Sequence, residues 1–210
     1  MNVAVAVYPV KQDALVPASE AEPVPKRVVV GFGFWIFLLS DIVMFSALFA
    51  AYAVLVRNTA DGPSGDQLFS QTSVAVETAC LLVSSYTCGL MSLSIEARRQ
   101  LGTYFWAAVT LVLGAAFVAL ELREFAAMIA RGATPQRSAF LSSFFTLVGC
   151  HGLHVTAGLV WLAVMMLQVN LRGLRDNVKR RLQCFALYWH ALDIIWVWLF
   201  TVVYLMGVHP

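Results

Sequence analysis

Long apolar segments separated by short polar ones make up most of the chain. Five of these segments are each long enough to cross a membrane, since about 20 apolar residues span the hydrocarbon layer. The longest separating stretch carries Gly62, Pro63 and Gly65, which is typical of a turn. The pattern predicts an all-α fold, a polytopic bundle of five transmembrane helices, which run from about Val28 to Val56, Thr72 to Ile95, Gly102 to Ala130, Ser138 to Leu171 and Leu182 to Val208.

The first 27 residues differ from the rest, because they carry four prolines and scattered charges. Their short apolar run, Val3 to Val7, is too short for a signal-peptide core and follows no basic region. We therefore expect residues 1–27 to form a flexible cytoplasmic extension that is retained. Residues 28–210 contain no internal repeat and are expected to form one transmembrane domain.

Composition and charge distribution agree with a membrane protein of defined orientation. Charged residues make up 12% of the chain, whereas soluble domains carry roughly 25%. With a cytoplasmic N-terminus, ten lysines and arginines fall in inside segments and three (Arg57, Arg131 and Arg137) fall outside. The positive-inside rule then predicts a cytoplasmic N-terminus and a periplasmic C-terminus. No basic aromatic patch or motif indicates nucleic-acid binding.

Ionisable residues inside the predicted spans are the candidate functional positions. Such groups are costly in lipid and normally face protein, so they mark functional or packing sites. The acidic residues of spans two and three, with Arg123, are expected in the outer part of the membrane, and the others nearer its middle or inner half. We hypothesise that Arg123 pairs with Glu77 or Glu124, because an unpaired buried charge is strongly destabilising. The full set is Asp41, Glu77, Glu121, Arg123, Glu124, His151, His154, His190 and Asp193.

The histidines allow two cofactor hypotheses and one simpler interpretation. His151 and His154 are three residues apart and therefore share a helix face. Di-iron bundles combine glutamate and histidine on the same helices, which this chain does not do, so we predict no metal site. The second cofactor hypothesis is a haem bound between His190 and either His151 or His154. We favour hydrogen bonds from the histidines to neighbouring carboxylates, as His190 and Asp193 could form at spacing i, i+3.

Two further features stay open from the residues alone. Asp41 could act in a proton relay, or it could be a protonated hydrogen-bond donor that fixes helix packing. The basic run Lys179, Arg180 and Arg181 precedes the fifth predicted span on the cytoplasmic side. The topology signal explains this run fully, and binding of a phospholipid headgroup is the functional alternative.

Four blocks in order along the chain resemble one known family. They are Gly33–Asp41, Glu121–Phe125, His151–Gly158 and Tyr188–Trp196, and together they look like the subunit III family of haem-copper terminal oxidases. Cytochrome c oxidase members commonly carry Glu where this chain has Asp41, so the chain resembles the cytochrome bo-type ubiquinol oxidase branch. Its five spans and its ending, Phe200–Gly207, are also similar to that branch.

The resemblance implies a non-redox accessory subunit of a proton-pumping ubiquinol oxidase complex, in the aerobic respiratory chain of a bacterial inner membrane. It implies no cofactor in this chain, with haems and copper in a partner subunit I, and further contacts with subunits II and IV and with membrane lipids. The buried acids and histidines would stabilise the bundle and the interface with subunit I, and support proton uptake there. Longer relatives have seven helices and hold phospholipids in a cleft that their first two helices help to form. This chain lacks those two helices, and a structural phospholipid is expected only if another subunit completes the cleft.

Three other functions compete with this expectation. The nearest is the same subunit of a cytochrome c oxidase, which differs only in the electron donor. A small transporter or proton channel could use Asp41, His151 and His154 as a relay, although inverted repeats and interrupted helices are not visible. A haem-binding cytochrome is the third.

Overall fold

A computed structural model describes residues 26–60 and 71–205. Residues 1–25 of the predicted extension, the loop at 61–70 and the end of the fifth predicted span lie outside these residues. The described chain forms five α-helices, of which the last continues into a π-helical turn, Phe200–Leu205. The helices are α1 Lys26–Leu55, α2 Gln71–Glu96, α3 Gln100–Ala130, α4 Ala139–Arg172 and α5 Asp176–Leu199.

All five helices are long and apolar enough to cross a membrane, which confirms the predicted architecture. The predicted ends of the first four spans lie within two residues of the observed helix ends. The fifth was wrong at its start, since α5 begins at Asp176 and not near Leu182. An apolar pattern marks the part of a helix in hydrocarbon, whereas α5 starts with polar turns outside it. Lys179, Arg180 and Arg181 therefore lie within α5 and do not precede it.

The helices pack around α5, which contacts α1, α2 and α4. The most extensive helix pair is α2 with α3, and α4 packs against α1, α3 and α5. Among the five spans α5 is the most buried and α1 the least. The position of α5 explains why two of its three tryptophans, Trp189 and Trp196, are among the largest fully buried side chains.

Two tight connections join helices at the same end of the bundle. Between α2 and α3, Arg98 adopts a left-handed conformation with φ of 54°, and between α4 and α5 Gly173 has φ of 66°. Close to both turns, the Gln100 side chain donates a hydrogen bond to the Val169 carbonyl over 3.1 Å. The α2–α3 hairpin is thereby attached to the C-terminal end of α4.

Gly114 of α3 lies against side chains of both α4 and α5. A Cβ atom at this position would lie 2.8 Å from Leu159 Cδ2 and 2.8 Å from Trp189 Cη2. Trp189 is 1% exposed, so its indole has little room to move. The glycine is therefore required by the packing of Trp189 and not by backbone conformation.

We predict that Gly114→Ala lowers the stability of the bundle by about 1–3 kcal/mol, as overpacked cores do. Gly89→Ala in α2 is the matched control, because a Cβ there meets nothing within 4 Å. Since alanine favours a helix over glycine, this control should leave stability unchanged or slightly higher. Thermal unfolding in detergent measures both, and equal melting temperatures for the two variants would contradict the packing argument.

Candidate functional site

Hydroxyl side chains of α2 hold the two buried tryptophans of α5. Trp196 donates its indole N–H to Thr78 Oγ1 over 3.1 Å, and Trp189 donates to Ser84 Oγ over 3.0 Å. In hydrocarbon these N–H groups have no water to bind, so an unpaired one would be costly. The small and hydroxylated residues of α2 thus both admit a close neighbour and anchor it.

His190 of α5 also bonds to α2, at Ser85, the residue that follows Ser84. Its Nδ1 atom lies 2.8 Å from Ser85 Oγ and 4.0 Å from Asp193 Oδ2. The predicted proximity of His190 and Asp193 is present, but the hydrogen bond goes to a hydroxyl that the spacing argument had not identified. Only the run of hydroxyl residues in α2 could have indicated it. The His190 ring also lines an apolar groove of about 690 Å³ between α1 and α5.

His151 is fully buried in a cage of aromatic rings. Its ring centre lies 5.2 Å from that of Trp196, 5.9 Å from Phe117 and 6.2 Å from Phe45. His154 lies 5.3 Å from the same Phe45 ring. The two histidines therefore share one face of α4, as their spacing predicted.

Asp41 lies in a second polar group, between α1, α4 and α5. Its carboxyl group is partly exposed and within electrostatic range of His154 and Tyr188. His154 Nδ1 lies 2.7 Å from the Cys150 carbonyl oxygen, and the Tyr188 hydroxyl donates to the His154 carbonyl over 2.8 Å. Asp41 is thus close to other polar groups, which both a relay and a packing role allow.

Acidic residues of α2 and α3 meet in a third group, near the first turns of α2 and the last turns of α3. Glu77 is 1% and Glu121 4% exposed, and Glu77 is within electrostatic range of both Glu121 and Glu124. Tyr204 of the π turn is within electrostatic range of these acids and of Tyr52 in α1. Within the described residues, the carboxyl oxygens of Glu77 and Glu121 and the Tyr52 hydroxyl have no hydrogen-bond partner.

Arg123 does not neutralise this acidic group directly. Its side chain is exposed, and no carboxylate of the described residues lies within 4.0 Å of it, so the hypothesised ion pair is not formed. The reason is helical geometry, because two residues along a helix turn the side chain by about 200°. Glu121 therefore faces the core while Arg123 faces outward, at the edge of a cavity that Glu77 and Glu124 also line.

The basic residues at the start of α5 make local contacts at the opposite end of the bundle. Arg180 donates a hydrogen bond to the Asn177 side chain, and Arg181 Nη1 donates to Gln168 Oε1 over 3.2 Å. The Lys179 backbone N–H donates to the Arg175 carbonyl, and its side chain forms no hydrogen bond or ion pair with the described residues. Binding of a lipid headgroup to this run stays a prediction.

The histidine contacts bear on the cofactor hypotheses. His190 uses Nδ1 toward Ser85, and His154 uses Nδ1 toward its own helix backbone. The predicted hydrogen bonds to carboxylates are therefore not formed: the partners of these two histidines are a hydroxyl and a carbonyl, and neither ring nitrogen of His151 has a hydrogen-bond partner among the described residues. Among residues 26–60 and 71–205, no group of three or more His, Cys, Asp or Glu side chains has an arrangement suited to a metal ion.

Gly152 of α4 receives the Glu121 carboxyl group of α3. A Cβ atom at this position would lie 2.7 Å from both carboxyl oxygens. We predict that Gly152→Ala destabilises the bundle by about 1–3 kcal/mol, and that the effect shrinks in a Glu121→Ala background, where the carboxyl group is gone. A double-mutant cycle from thermal unfolding measures this coupling. Strict additivity of the two substitutions would contradict the contact.

Known proteins similar to this chain identify its family. The family model for cytochrome c oxidase subunit III matches residues 20–208. A protein of Pseudomonas aeruginosa named cytochrome bo(3) ubiquinol oxidase subunit 3 is 55% identical over 176 residues, which cover 84% of each chain. A protein of the same name from Pseudomonas putida is 52% identical over 84% of this chain and 85% of its own. The Bacillus subtilis protein named quinol oxidase subunit 3 is 44% identical over 83% of this chain and 86% of its own. The resemblance carried by the four sequence blocks is thereby confirmed, and the chain belongs to the cytochrome c oxidase subunit III family.

Proposed function

We propose that this chain is the accessory subunit III of a ubiquinol-oxidising, proton-pumping terminal oxidase in a bacterial inner membrane. The observation that carries the proposal is the 55% identity, over 84% of both chains, to a relative named as subunit 3 of a ubiquinol oxidase. Identity of this extent along nearly the whole membrane bundle supports a common partner and a common complex. In that complex the partner subunit I would hold the haems and copper, with subunits II and IV also present.

The polar groups of the bundle support a structural role for this subunit. The bonds of Thr78, Ser84 and Ser85 to α5 join helices, and the His151 ring fills an aromatic cage. Both kinds of contact fix helix positions without presenting a reactive group to a substrate. We propose that they stabilise the bundle and, through it, the interface with subunit I, and that the chain has no catalytic centre of its own.

The membrane orientation and the N-terminal extension belong to the same proposal. We propose a cytoplasmic N-terminus with residues 1–27 as an extension of a single transmembrane domain, and a periplasmic C-terminus. The concentration of Lys and Arg in the segments at the inner helix ends supports this orientation. Lys179, Arg180 and Arg181 would then lie at the cytoplasmic headgroup layer.

The same subunit of a cytochrome c oxidase is the second candidate. The family description carries that name, whereas the individual relatives compared here are named for quinol oxidases. Asp41 in the first block also resembles the quinol branch. The transporter and cytochrome hypotheses receive no support from these relatives.

Purification of the tagged chain in mild detergent should bring down a larger haem-containing partner. Oxygen uptake by the purified material should be driven by ubiquinol and not by reduced cytochrome c, because the donor distinguishes the two branches. An optical spectrum and an oxygen electrode measure both properties. Uptake driven by cytochrome c would assign the chain to the sister branch, and a colourless chain without partner would contradict the oxidase assignment.

We predict that Asp41→Asn leaves the initial rate of quinol oxidation within about twofold of the unaltered complex, since an accessory subunit does not touch the reacting atoms. The substitution should instead lower the retention of this subunit during purification, or the number of turnovers before inactivation. Asp176→Asn is the control, because its carboxyl group is exposed at the inner end of α5. Complete loss of activity in a fully assembled Asp41→Asn complex would contradict the accessory role.

A further inference from the structure

A cavity of about 320 Å³ opens between the outer ends of α2 and α3. It lies at the opposite end of the bundle from the basic run of α5, because α3 ends here and starts near α5. Its lining combines carboxylates with guanidinium groups, whereas the groove between α1 and α5 is almost wholly apolar. The cavity is lined by Ser73, Glu77, Leu120, Arg123, Glu124, Ala127, Met128 and Arg131.

The charges of this cavity do not neutralise one another. Arg123 and Arg131 are both exposed, and neither has a carboxylate within 4.0 Å in the described part of the chain. Glu77 is 1% exposed, and neither of its carboxyl oxygens has a hydrogen-bond partner among the described residues. Opposite charges that line one cavity without contact leave space for a ligand that carries both signs.

The position of the cavity across the membrane shows what surrounds such a ligand. A helix of 31 residues, the length of α3, measures about 46 Å at 1.5 Å per residue. The hydrocarbon layer is only about 30 Å thick, so the last turns of α3 lie among lipid headgroups. Arg131 is at this end, and Glu77 lies within the first two turns of α2.

We propose that this cavity binds a phospholipid headgroup in which a primary ammonium group follows a phosphate, as in phosphatidylethanolamine. The phosphate would accept hydrogen bonds from Arg123 and Arg131, which are exposed toward the headgroup layer. The ammonium group would donate to Glu124, which is half-buried deeper in the cavity. Charge-assisted bonds of this kind are short and directional, so the site distinguishes headgroups by hydrogen bonding and charge.

Two related headgroups lack one part of this complementarity. Phosphatidylcholine has a quaternary ammonium group without N–H donors, so it cannot bond to the carboxylates. Phosphatidylglycerol has no cation, and its phosphate would be held beside two glutamates. The site should therefore prefer phosphatidylethanolamine to both.

The test uses the assembled complex that contains this chain, reconstituted in nanodiscs with equal amounts of the three lipids. After extraction into detergent, mass spectrometry counts the lipid molecules of each class that stay bound per complex. Glu124→Gln and Arg131→Gln should each lower the retained phosphatidylethanolamine at this site about tenfold, the effect of losing a charge-assisted bond. Arg131→Lys keeps the positive charge and should restore most of the binding.

Arg57→Gln is the matched control, because Arg57 is exposed at the same side of the bundle but does not line the cavity. Soluble glycerophosphoethanolamine forms a further arm and should compete only at high concentration, since it lacks acyl chains. Competition at low concentration would assign the site to a soluble ligand and overturn the lipid proposal. Equal retention of phosphatidylcholine, or equal loss in the control, would overturn it as well.

Discussion

The bundle depends on one constraint, that polar groups within hydrocarbon must find their partners inside the protein. The hydroxyl residues of α2 meet this constraint for α5, since Ser84 and Thr78 accept the indole N–H groups of Trp189 and Trp196. Thr87 of α2 and Thr110 of α3 bond to each other over 2.8 Å. The helix α2 thus sets the rotation of both α3 and α5, because each of these hydrogen bonds can form only in one alignment of the two helices.

Large side chains in the centre of the bundle require small residues in the helices that face them. Trp189 reaches the core only because Gly114 of α3 and Gly158 of α4 leave room for its ring, and Glu121 lies against Gly152. The seat of the Trp189 ring fixes α5 against α3 and α4, and the indole hydrogen bonds fix it against α2, so the two kinds of contact act together.

The sequence predicts the five spans well, because length and apolarity are local properties that a membrane imposes on every segment. It also predicts the shared face of His151 and His154, which follows from helical spacing alone. It does not predict the bond between Ser85 and His190, which are 105 positions apart, because that contact depends on how two helices meet. The start of α5 was misplaced for a different reason, because a polar turn outside the hydrocarbon has no apolar signal.

The π-helical turn at Phe200–Leu205 shows how a local irregularity serves the polar interior. In a continuous α-helix Tyr204 would be rotated about 80° from Trp196, eight residues earlier. The wider i→i+5 turn delays this rotation, and the Tyr204 ring stays buried, with its centre 6.4 Å from Trp196. There it contacts Trp196, whose ring lies beside His151, and it is within electrostatic range of the acidic group of α2 and α3. The turn thus extends the buried face of α5 to the level where the membrane bundle carries its acids.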